Sequence, residues 1–172
     1  MIHAGAPEVL FRGVEPNYFF EDVVVDVEEF SSELIVDRDE MVAYGRANDP
    51  YPIHVDEAAA AASPFGGLIA SGGFTMSLWL RLQHVNNRDL QRVEAFLGGF
   101  DWQGKFPTPV RAGDRLRLRR IVTGKRLSSK PGRGVVNWLM ELINQDGRTV
   151  LSIEGAILMA TRHQDHAEPT TR

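Results

Sequence analysis

An α+β fold, one long helix laid across an antiparallel sheet, follows from two patterns and their order along the chain. From Ser71 the apolar residues Phe74, Leu78, Leu82 and Val85 recur at spacings of four, four and three, which is one face of a helix about four turns long. Beyond Asn87 come four runs rich in Val, Ile, Leu and Phe: Val93 to Trp102, Asp114 to Thr123, Gly134 to Asn144 and Thr149 to Met159. Strands segregated from helices argue for a single antiparallel sheet covered on one face by the helix, not for βαβ units.

The elements follow in order. Residues 1–17 show no regular pattern, 18–162 read as one domain, and the polar stretch 163–172 reads as a flexible tail. Glu33 to Val36 predicts a short strand. Asp37, with Glu40 three residues on, forms a capping-box pattern that opens a helix through about Ala47. Pro50 and Pro52 forbid its continuation. Asp56 caps a second short helix through Ala58 to Ala62, which Pro64 stops. Asn144-Gln145-Asp146-Gly147 is a hairpin turn, and Lys130-Pro131-Gly132 marks a longer one.

Composition removes several function classes. The 172 residues include no Cys, so disulfides, thiolate metal sites and cysteine nucleophiles are excluded. A net charge of -4 gives no general attraction to nucleic acid or to an anionic membrane. No cationic stretch followed by an apolar one opens the chain, and Phe65 to Leu80 is too short and too glycine-rich to span a bilayer. A cytoplasmic protein is expected.

Chemistry concentrates in Asn48-Asp49-Pro50-Tyr51-Pro52-Ile53-His54-Val55-Asp56. On a regular helix, Asp49 and His54 would stand about 140° apart. The two prolines instead predict a fixed, kinked loop able to aim both side chains at one point. Asp and His held together are a general acid/base pair, because imidazole trades protons near neutrality. The alternative is a helix-terminal turn residue beside a buried, hydrogen-bonded histidine. Downstream, Phe65-Gly66-Gly67-Leu68-Ile69-Ala70-Ser71-Gly72-Gly73 leads into the long helix, whose first N–H groups are free to hold an oxyanion. A phosphate loop is excluded because Lys and Ser/Thr do not follow the glycines, and Ser71 reads as a helix cap more than a nucleophile. His54 and Asp56 lack a second His nearby, so no metal site is predicted.

These residues resemble the MaoC-like hydratase/dehydratase family, which includes the (R)-specific enoyl-CoA hydratases. The family pattern D-x-N-P-x-H-x-D, an alanine-containing helix, then F-x-x-x-I-A-H-G is similar to Asp49 through Gly72. Tyr18-Phe19-Phe20-Glu21-Asp22 resembles the family's Y-F-E-D entry, and Pro109-Val110-Arg111-Ala112-Gly113-Asp114 its P-V-x-x-G-D. The resemblance implies a hot-dog fold, a homodimer or dimer-based oligomer, and no cofactor. It implies Asp49 and His54 as the catalytic pair and the Gly72 backbone N–H as oxyanion donor, with water crossing the 2,3 double bond of an acyl-CoA or acyl-carrier thioester. Tyr51, Phe65 and Ser71 fall at substrate-binding positions. Tyr51 stands where the family often has Asn, and Ser71 where it often has His.

Two matters stay open in the sequence. Arg111 to Arg133 carries nine cations and one acid, and Arg115, Arg117 and Arg119 alternate with Leu116 and Leu118. That arginine face is either a solvated outer surface or a phosphate-binding one, and Arg119 and Arg120 are expected to blunt a sheet edge. A hot-dog thioesterase and a non-catalytic acyl-binding protein share the fold with the hydratase.

Overall fold

Ser71 starts the central helix. In the computed structural model, which describes residues 15–162, its backbone is extended and its Oγ accepts a hydrogen bond from the Phe74 N–H. The helix then runs from Gly72 to Asp89 (α4), 18 residues, one turn longer than the apolar stripe requires. Asp37 likewise caps α1, Arg38–Asn48, by accepting from the Glu40 N–H at 2.8 Å. The reciprocal half of the capping box is not made, because the Glu40 carboxylate is taken by Arg81 of α4 at 2.6 and 3.1 Å. Asp56 accepts from Ala58 and Ala59 and caps a short helix, Glu57–Ala62. Most of the irregular segment expected over 1–17, and all of the tail expected over 163–172, lies outside the described residues.

Two short strands precede the helices: β1, Glu28–Phe30, which the sequence did not signal, and β2, Leu34–Ile35. Four long ones follow: β3, Phe96–Lys105; β4, Arg115–Leu127; β5, Arg133–Ile143; β6, Thr149–Ala160. All pair antiparallel, in the order β1-β4-β5-β6-β3, with β2 also on β4. The β5–β6 turn forms because the Asn144 side chain accepts from the N–H groups of Asp146 and Arg148, the local hydrogen bonding for which Asn is favoured in turns. No helix among the described residues is long and apolar enough to cross a membrane.

Alternation along the long strands puts one face of the sheet against α4. Phe74, Leu78, Trp79 and Leu82 meet Leu116 and Leu118 of β4, Trp138, Met140 and Leu142 of β5, and Leu151 and Ile153 of β6, all buried. Each large side chain removed from water in this way contributes about 1.5–3 kcal/mol. The Trp79 indole ties the layers further, donating its N–H to Met140 Sδ at 3.2 Å.

Arg120 departs from expectation. It does not blunt an edge: β4 lies inside the sheet, with β1 and β2 on one side and β5 on the other, and the Arg120 side chain is 2% exposed. It pairs with Glu94 at 2.8 Å, next to Arg92, which grips Glu29 at 2.7 Å and stacks over the Tyr18 ring. Burial pushes the Glu29 carboxyl up, but the Arg92 hydrogen bond and the charges of Arg120 and Arg92 outweigh it and hold the group below the usual carboxylate range. Stability supplied by Glu29 is therefore present above the unfolded-state pKa and lost as pH falls through the lower folded value. Replacing Glu94 by Leu leaves Arg120 buried with a single carboxylate 3.6 Å away, and is expected to lower the urea unfolding free energy by about 3–5 kcal/mol. The double variant Glu94→Leu, Arg120→Met is expected to recover most of that loss.

Candidate active site

Asp49 closes α1. Its N–H still reaches the Gly45 carbonyl at 2.8 Å, but Pro50 follows and turns the chain out of the helix. The segment beyond is not wholly the fixed, kinked loop that the prolines predicted. Tyr51 is extended (φ -65°, ψ 140°), Pro52 takes the first helical position, where its fixed φ and missing N–H are tolerated, and one turn of helix forms over Pro52–Val55 (α2). This turn carries His54. Its packing on α1 depends on Gly45: a β-carbon there would lie 3.1 Å from Val55 Cγ1 and 3.3 Å from the Cβ and carbonyl oxygen of His54.

The two expected catalytic side chains meet. His54 is buried, and its Nδ1 lies 2.9 Å from the carbonyl oxygen of Ile69. A carbonyl only accepts, so the neutral ring carries its proton on Nδ1 and presents a lone pair at Nε2. Nε2 faces Asp49 Oδ2 at 3.6 Å. That separation is too long for a direct hydrogen bond and suits a water donating to both. The side chains are 9% and 34% exposed, so solvent reaches the pair from the carboxylate side.

The remaining predicted residues fall around this pair in different ways. Gly72 and Gly73 are the first two residues of α4, where N–H groups have no intrahelical acceptor. Ser71 is 1% exposed, and its hydroxyl is committed to the cap while its carbonyl accepts from the Thr75 hydroxyl and N–H. Tyr51 and Phe65 are exposed aromatics on the surface segments that flank His54. Sequence reading passed over Gly45, the Ile69 carbonyl, Phe106, whose ring lies against Gly72, and Tyr44. The Tyr44 hydroxyl would be 2.7 Å from a β-carbon at position 73, so a larger residue there would have to displace the Tyr44 ring. A helix-interior Gly followed by a bend is the one local signal that marked any of these.

A cavity of about 620 Å³ lies between α1 and the short helix Glu57–Ala62 (α3), lined by Arg38, Val42, Arg46, Val55, Glu57 and Leu68, and does not include Asp49 or His54. Among the described residues no group of three or more His, Asp or Glu converges on a cation position. On β4, Arg119 is held by Glu28 and Glu141, and Arg117 stacks over Phe30. Of Arg115, Arg117 and Arg119, the last is thus the one held in ion pairs among the described residues.

Residues 21–140 match the profile of the MaoC like domain. The chain belongs to the MaoC-like dehydratase family. Among solved structures, this MaoC-like chain is similar to the MaoC-like dehydratase from Rhodospirillum rubrum, with 30% identity, a TM-score of 0.77, and coverage of 86% of this chain and 99% of that one. It shares its fold with an (R)-hydratase from A. caviae involved in PHA biosynthesis, at 22% identity and a TM-score of 0.63 over 80% of this chain and 97% of that one. The fold is the hot-dog fold expected from the resemblance. A curated relative, 3-hydroxyacyl-thioester dehydratase Z of Mycobacterium tuberculosis, is 39% identical over 72 residues, 42% of this chain and 47% of the relative. The match thus spans about half the relative's length.

Because Gly45 sets the approach of α2 to α1, Gly45→Val is expected to push α2 outward. A crystal structure of the variant should show the Asp49–His54 distance lengthened beyond 3.6 Å, with a stability loss of about 1–3 kcal/mol from overpacking.

Proposed function

We propose that this protein adds water to, or removes it from, the 2,3 double bond of an enoyl thioester carried on coenzyme A or an acyl-carrier protein. The observation that carries the reading is the lone pair of His54 Nε2 turned toward the Asp49 carboxylate at 3.6 Å, with α4 opening three residues after the Ile69 carbonyl that holds the ring. A water donating one O–H to each acceptor is held with its own lone pairs free. In hydration its oxygen bonds to the β-carbon while one of the two groups takes its proton. The double-bond electrons move toward the thioester carbonyl, whose oxygen charge is held by the Gly72 N–H. The α-carbon then receives a proton on the same face, and dehydration runs the sequence backward. Tyr51 and Phe65 are placed to meet the acyl or carrier part of the substrate, and Ser71 acts through the helix cap. The family membership and the names of the relatives support this reading.

We place the protein in the cytoplasm as a homodimer. Support for the dimer comes from β3, an edge strand of ten residues on which Phe96, Leu97, Phe100 and Trp102 are exposed. An uncovered apolar edge of that length invites pairing, and a second copy of the same strand is a self-complementary cover.

A panel of enoyl-CoA thioesters, with enoyl absorbance and free thiol followed separately, tests the chemistry. Loss of absorbance without thiol release is the expected result, and thiol release would replace the hydratase with a thioesterase. Asp49→Asn and His54→Gln should each lower turnover by about 10²–10⁴-fold while far-UV circular dichroism stays unchanged. Wild-type turnover in either variant would remove the pair from the mechanism.

For assembly, light scattering should give about twice the chain mass of 19.2 kDa. Leu97→Lys with Phe100→Lys should shift the species toward monomer, and a wild-type monomer at micromolar concentration would overturn the dimer.

A further inference from the structure

The chain that carries Ile69 to His54 is held at successive peptide groups. In the 68–69 peptide, the Leu68 carbonyl accepts from the Arg111 guanidinium at 3.3 Å, and the Ile69 N–H donates to the Ile53 carbonyl at 3.2 Å. In the next peptide, the Ile69 carbonyl accepts from His54 Nδ1–H at 2.9 Å, and the Ala70 N–H donates to the Val110 carbonyl at 2.8 Å. Both planes are thus pinned at both ends. Arg111 also donates to the Phe65 carbonyl at 2.5 Å, three residues earlier. Among the described residues its guanidinium forms no ion pair with a carboxylate; these two main-chain carbonyls are what it binds.

Arg111 itself stands on a stiff base. Its N–H donates to Asp114 Oδ2 at 2.8 Å, and Gln145 Nε2 binds the other oxygen of that carboxylate at 2.9 Å. Gly113 and Asp114 exchange main-chain hydrogen bonds with Val36, so the turn is fixed to the segment ahead of α1. A planar guanidinium with several donors suits this task, since it can hold two carbonyls at once in a set geometry, whereas an ammonium is a point charge without that plane.

We infer that Arg111 is a positioning residue for the acid/base pair: by fixing the 68–69 peptide it sets the chain direction into the 69–70 peptide, whose Ile69 carbonyl meets His54 Nδ1, and so keeps the Nε2 lone pair directed at Asp49. The inference rests on the hydratase reading for its kinetic consequence but not for its structural one. When the clamp is lost, the 68–69 peptide keeps only its bond to Ile53 and the 69–70 peptide its bond to Val110, so the Ile69 carbonyl is held less firmly against Nδ1 and the imidazole proton is freer to sit on either nitrogen. Because Arg111 also holds the Phe65 carbonyl, substrate capture changes with the same loss, and the imidazole tautomer is the readout that isolates the effect on the acid/base pair.

The test uses the full chain with Arg111→Met and Arg111→Lys. Long-range proton–nitrogen correlation spectra of the His54 ring, recorded above its titration range, should show an Nδ1–H tautomer in the wild type and a mixture in Arg111→Met. The kcat for an enoyl-CoA thioester should fall about 10- to 100-fold, any rise in KM reporting the freed Phe65 segment, and Arg111→Lys should recover part of both the tautomer and kcat. A wild-type tautomer and wild-type kcat in Arg111→Met would overturn the inference, as would a fall in kcat with the tautomer unchanged. If Arg111→Met does not fold, Arg111→Lys alone decides on the same two readouts. Should the wild type turn over no enoyl thioester, the hydratase reading fails, while the tautomer comparison still judges Arg111.

Discussion

A sheet with one apolar face in water is unstable until something covers it, and here the cover is α4. Leu116, Leu118, Trp138, Met140, Leu142, Leu151 and Ile153 are buried only because Phe74, Leu78, Trp79 and Leu82 lie over them. That requirement fixes where the helix begins. Sliding α4 along its axis would take its stripe off the sheet, so the Ser71 cap and the glycines behind it hold one position relative to the core. The chemistry borrows this rigidity. Asp49 closes α1 and His54 rides on the one turn of α2, and the ring is aligned through the Ile69 carbonyl, in the segment that leads into a helix that cannot move without exposing the interior.

The two ends of α4 treat charge in opposite ways. Near its C-terminal end, Arg92, Arg120, Glu29 and Glu94 neutralise one another in a largely buried cluster, with Asn86 adding a hydrogen bond to Glu29. Such a cluster balances its own charge away from water. At the N-terminal end, the Asp49 carboxylate is matched only with an imidazole whose second nitrogen is bound to the backbone. Charge balance there is left incomplete, which is what a proton-transfer site needs and a structural ion pair does not.

Much of this was legible because it is local. Asp37, Asp56 and Ser71 cap the helices expected of them, and the four long strands fall within a few residues of their apolar runs, because capping and alternation depend on neighbours in sequence. The pairing of Asp49 with His54 was legible as a motif. Its geometry was not, since Pro52 reads as a breaker from one side and as a helix start from the other. Arg120 was misread although the information was present: it shares parity with Leu116 and Leu118, so the alternation carried two residues further turns it inward. Glu94, its partner, is 26 positions away and nothing local announces it. The Ile69 carbonyl, Phe106 and the Gly45 contact depend likewise on distances through space.

The aromatic interior has an optical consequence. All three tryptophans belong to one cluster: Trp79 of α4 meets Trp102 of β3 edge-on at 5.2 Å and Trp138 of β5 at 5.7 Å. Trp79 and Trp138 are deeply buried, while Trp102 is half in water on the sheet's rim. Rings this close share excitation, so the intrinsic fluorescence of the protein behaves as one emitter drawn from three elements. A ligand, a second subunit or a denaturant that reaches only the rim therefore alters the same band as one that opens the centre, and a spectral change in this molecule registers an event without giving its address.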